Sequence, residues 1–100
     1  MSSIACTLSP AEMRQREADI RTLGRDALLG VERSERHVLL RFRSDPATRA
    51  RVEAIVAAES DCCAFMDFEL SVTGDAIALR VAAPAGAEPA VRRLADLFAV

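Results

Sequence analysis

Two of the three cysteines stand side by side near the end of an apolar helical stretch, in Glu59-Ser60-Asp61-Cys62-Cys63-Ala64-Phe65. A helical residue advances about 100°. That turn puts Glu59 on the same stripe as Val52, Ile55 and Val56, with Cys62 and Cys63 flanking it one turn on, and Asp61 on the opposite face. A carboxylate on a core-facing stripe beside two thiols can move protons, and two thiolates are soft ligands suited to soft ions. A Cys62–Cys63 disulfide is disfavoured, because neighbouring Cα atoms are closer, at about 3.8 Å, than the usual bridge separation. A helix C-terminus also disfavours an unassisted thiolate, since the macrodipole is negative there. A coordinated metal reverses that balance, because a ligating thiol is deprotonated.

Cys6 is the third thiol. If it reaches the Cys62/Cys63 end, three sulfurs suit a trigonal thiophilic centre for an ion such as Hg(II) or As(III). Zinc takes a fourth ligand. The single histidine, His37, falls at a hairpin rim without metal-knuckle spacing, so it reads as a turn-edge residue. Glu59 has an alternative structural role at the rim of the helix, paired with Arg41 or Arg43.

Other classes of chemistry drop out on composition. All 13 basic residues are arginine, and the absence of lysine removes Schiff-base catalysis and a P-loop. The net charge is −2, and the arginines are interspersed with acids. With four Phe and no Trp or Tyr, neither a basic stripe nor a stacking platform for nucleic acid is present. No stretch approaches the ~20 apolar residues of a membrane span, and the N-terminus does not read as a secretory leader. The expectation is a cytoplasmic protein with reduced thiols, partnered by a metal or metalloid ion or a small thiol-reactive molecule, and by no nucleic acid or membrane. A homodimer through an exposed strand edge is a further expectation.

One hundred residues fit a single domain, 1–100, with residues 1–8 as an arm carrying Cys6. Ser9-Pro10-Ala11-Glu12 is a helix start with a capping box. The first helix should run to about Leu23 or a little beyond, with Gly24 or, later, Gly30 as its stop. Met13, Ile20 and Leu23 mark its inner face, and Arg14, Arg16 and Arg21 should point away. Residues 28–33 and 37–43 read as a hairpin, and Asp45-Pro46 starts a second helix ending near Cys63. Phe68, Leu70 and Val72, then Ile77, Leu79 and Val81, alternate about a Gly74-Asp75 turn. Pro89 opens a third helix striped by Val91, Leu94 and Phe98. The predicted fold is α+β, a two-layer sandwich in the order α-ββ-α-ββ-α. Its four-stranded, mainly antiparallel sheet comes from two hairpins and is covered by three helices.

Three pieces of the chain together resemble a group of small, uncharacterised bacterial proteins of about this length. The pieces are Cys6-Thr7-Leu8, Arg41-Phe42-Arg43 and Glu59-x-x-Cys62-Cys63-x-Phe65. The resemblance implies that Cys6, Cys62, Cys63 and Glu59 belong to one site. The chemistry, though not the sequence, is similar to that of organomercurial lyase, in which two cysteines and a carboxylate hold mercury and protonate the leaving carbon. Three functions follow as expectations. The first is binding of a thiophilic metal or metalloid at Cys6, Cys62 and Cys63, with Glu59 as proton donor or base. The second is thiol redox or peroxide chemistry with Cys6 as the resolving thiol. The third is a homodimeric interaction module whose cysteines are structural.

Overall fold

In the computed structural model, which describes residues 9–62 and 65–99, the chain folds as α1(Pro10–Ala27), β1(Leu28–Arg33), β2(His37–Arg43), α2(Pro46–Cys62), β3(Asp67–Thr73), β4(Ala76–Ala82) and α3(Glu88–Ala99). This is the α+β order expected. The strands form one antiparallel sheet in the order β1-β2-β4-β3. The second strand of each hairpin is therefore central, and β2 pairs with β4 from His37↔Ala82 to Arg43↔Ala76. Both β2 and β3 run antiparallel to β4. They are thus parallel to each other, with α2 crossing between them and β4 lying in the gap, a split β-α-β unit.

Local chemistry sets the helix starts. The Ser9 hydroxyl accepts from the Glu12 N–H at 3.2 Å, and the Glu12 carboxylate accepts from the Ser9 N–H at 2.9 Å. These bonds hold the Glu12 carboxyl below its usual range, the backbone bond being the larger cause. Asp45 accepts from the Thr48 N–H at 2.8 Å and from the Thr48 hydroxyl at 2.9 Å. Arg43 donates to it at 2.9 Å. The Thr48 backbone bond leads these causes, and together they lower the Asp45 pKa to about 2.

The end of α1 departs from expectation. Neither Gly24 nor Gly30 stops it. The helix continues to Ala27, and Leu28 adopts extended backbone while its N–H still bonds to the Gly24 carbonyl. Pairing with Phe42 has by then taken Leu28 into the sheet. Gly24 lies inside the helix because α3 crosses it there: a Cβ at this position would fall 1.9 Å from the Phe98 carbonyl oxygen. Gly30 sits beside a β-bulge, where the register shifts between Leu28 and Gly30. The extra residue lets Leu28 and Val31, three apart, both pack on the core, and it turns Leu29 outward at 62% exposed.

The helices cover one sheet face. Val38, Leu40 and Phe42 of β2 and Ile77, Leu79 and Val81 of β4 are buried beneath Ile20, Leu23, Val52, Val91, Leu94 and Phe98. Phe42 and Phe98 meet edge to face, with ring centroids 5.4 Å apart. Among the described residues, the opposite face is open. It carries the Arg41–Glu32 pair and the Arg80–Glu69 pair, the latter at 3.6 Å. On β2, His37 is half-buried and pairs with Ala82.

Candidate functional site

Thr48, Val52 and Ile55 are buried along one stripe of α2, and the next position on that stripe is Glu59. Its side chain is 13% exposed. A carboxylate placed there needs a partner, and α1 supplies it. The Arg16 guanidinium lies 3.2 Å from Glu59 Oε2 and donates at 3.2 Å to the Ala58 carbonyl. Arg16 is itself only 18% exposed. The partners named from sequence are occupied elsewhere: Arg41 pairs with Glu32 and Arg43 with Asp45. Charge alone puts Arg16 on the outward face of α1. It turns inward because positions 13, 16, 20 and 23 share one helical stripe, on which Ile20 and Leu23 are buried. Two opposite charges, each on the apolar stripe of its own helix, were the signal that could have joined them.

The pair lines a cleft of about 200 Å³ between α1, α3 and the end of α2. Ile20, Met66, Leu94 and Leu97 supply apolar lining, and Met13 and Ala90 also border it. A second ion pair, Arg93 with Glu17, ties α3 to α1 along the same cleft. The volume is below the ~300–1,000 Å³ typical of drug-sized ligands, so the cleft suits a small molecule or ion complex. The charges differ in weight. Glu17 is 22% exposed but Arg93 is 63% exposed, so solvent screens that pair more than Arg16–Glu59.

Arg16 thus bridges two adjacent positions near the C-terminal end of α2, the Ala58 carbonyl and the Glu59 carboxylate, and its charge balances that of Glu59.

Glu59 and Cys62 belong to the same helix, with Cys62 its last residue. Cys6, Cys63 and the side chain of Cys62 lie outside the described residues. Among the described residues, no three His, Cys, Asp or Glu side chains gather as a metal-holding group. Also among them, no helix is long and apolar enough to cross a membrane. Phe65, the last residue of the cysteine signature, is half-buried and packs against the core, and Met66 is buried. Set against protein-family models, curated proteins and solved structures, the chain has no match in any of the three.

Proposed function

We propose that the protein captures a thiophilic metal or metalloid ion through Cys62 and Cys63, with Cys6 as third ligand and Glu59 relaying the thiol protons to solvent one at a time. The observation that carries this reading is the position of Glu59. It is a largely enclosed carboxylate, held by Arg16 and facing a cleft, three residues before Cys62 on one helix. Each thiol that binds loses its proton as its sulfur lone pair forms the bond to the ion. Glu59 is the near acceptor, taking one proton at a time and passing it to solvent, and Arg16 steadies the carboxylate.

The test is to titrate the reduced protein with Hg(II), As(III) and Zn(II) and count the thiols that remain reactive. The expected result is loss of all three reactive thiols at one equivalent of Hg(II) or As(III), with weaker protection by Zn(II). Three fully reactive thiols at saturating ion would overturn the proposal. A thiol-redox role draws on the same thiols beside Glu59. Mass spectrometry after mild peroxide separates the two, because redox chemistry predicts a reversible Cys6–Cys62 or Cys6–Cys63 bond formed without any ion.

A further inference from the structure

We infer that the protein pairs with a second copy of itself along β3, antiparallel about a two-fold axis at Leu70, so that two sheets become one. The two sheet edges are unequal. The outer edge of β1 is interrupted by its bulge and carries exposed Glu32 and Arg33, the latter paired with Asp96 of α3 at 3.0 Å. A bulge and charges are standard protection for an edge. β3 has neither a bulge nor a proline. All seven of its residues stay in register with β4. Its two acids, Asp67 and Glu69, fall on the open face, away from the helices. On the helix-covered face Phe68 and Leu70 are only half-buried, and Val72 is 47% exposed. Among the described residues, the core therefore runs out to this edge without being sealed.

The backbone is suited to the same pairing. The two-residue Gly74-Asp75 turn closes on Thr73↔Ala76, and such a turn closes on a hydrogen-bonded pair. Pairs alternate along an antiparallel ladder. Asp67, Glu69, Ser71 and Thr73 thus bond toward β4, while the N–H and C=O groups of Phe68, Leu70 and Val72 face the open edge.

Register then selects the axis. Keeping both helical layers on one side requires a two-fold perpendicular to the sheet, which must pass through a residue position, because facing side chains in an antiparallel pair share a face. An axis at Glu69 sets two carboxylates against each other, a destabilising pair. An axis at Ser71 pushes Phe68 against the Gly74 turn and shortens the ladder. An axis at Leu70 pairs the whole strand: Phe68 with Val72, Glu69 with Ser71, Asp67 with Thr73. It uses all the outward-facing backbone groups, joins an aromatic to a β-branched residue on the unsealed core face, and opposes no like charges.

Light scattering on the reduced full chain, from micromolar to millimolar, tests the inference. The expected result is a monomer–dimer equilibrium. Ser71 is exposed on the open face, so its replacement spares the core. Ser71→Glu sets a carboxylate opposite Glu69 at two symmetry-related places and should weaken the dimer roughly 2- to 30-fold. Ser71→Arg should tighten it over a similar range. Leu29→Asp, at the exposed β1 bulge, should leave the equilibrium unchanged, with circular dichroism confirming the fold of each variant. A monomer at all concentrations, indifference to both Ser71 changes, or dissociation by Leu29→Asp would overturn the inference.

Discussion

Gly24→Ala is expected to destabilise the protein, against the normal trend for this substitution. Inside a helix, alanine is better than glycine by about 0.5–1 kcal/mol. At Gly24 the new Cβ would stand 1.9 Å from the Phe98 carbonyl oxygen and 2.8 Å from its carbonyl carbon. Those are backbone atoms of α3, so no side-chain rotation relieves the clash. Ordinary contact begins near 3.4 Å, which requires α3 to retreat by roughly 1.5 Å from its present place against α1. Overpacking of this kind costs about 1–3 kcal/mol, more than the propensity gain. The net loss, up to about 2.5 kcal/mol, should lower Tm by up to about 20 °C for a domain of this size. Thermal and urea unfolding measure it, with Gly30→Ala as comparison. At Gly30 the nearest atom is the Arg41 Nη2 at 3.3 Å, the end of a flexible side chain, and the change should be small. The cleft is built from the same two helices, so α3 displacement in Gly24→Ala should also alter ion uptake. A stabilised Gly24→Ala protein would refute the close crossing of α1 and α3.

Three further outcomes are expected. Because the Asp45 pKa in the folded state, about 2, lies below its ordinary value of 3.8, its contribution is complete above pH 4 and disappears as pH falls toward 2. Asp45→Asn should flatten the stability profile in that window, as measured by denaturant unfolding at stepped pH. Arg16→Met leaves the Glu59 carboxylate enclosed without its cation and should cost about 1–3 kcal/mol; Arg16→Met with Glu59→Gln should recover part of that, and a double-mutant cycle reads the coupling. Gly74 holds a φ of +58° with open space around its Cβ position, so Gly74→Ala should lose about 1–2 kcal/mol from backbone strain alone, and Gly74→Asn less.

The fold was legible where its determinants are local. Ser9, Glu12 and Asp45 cap helices through bonds three residues long, and the alternation around Gly74 writes out its own hairpin. What the chain hides is what depends on distant partners. Gly24 carries the usual mark of a helix stop, but its role is set by Phe98, near the other end of the sequence. Arg16 looks like any surface arginine until α2 is laid beside α1, since Glu59 is 43 positions away. Glu59 itself could be placed on the inner stripe by counting turns, and the structure finds it there; its partner could not be counted to. The bulge at β1 was equally hidden, because pairing with β2, not any local motif, decides that Leu29 is the residue turned out.

The placement of β4 between β2 and β3 also fixes an order of events. A growing chain that has reached Gly74 holds three strands, of which only β1 and β2 are neighbours. The inner edge of β2 must wait for residues about 33 to 45 positions later, a long separation that slows closure. At synthesis rates of about 5–20 residues per second, that edge stays unpaired for seconds, with Val38, Leu40 and Phe42 uncovered beside it. Gly24 waits longer still, for Phe98. The nascent chain is therefore most exposed to misassociation just before β4 arrives, and truncation before Ala76 leaves the sheet without its keystone.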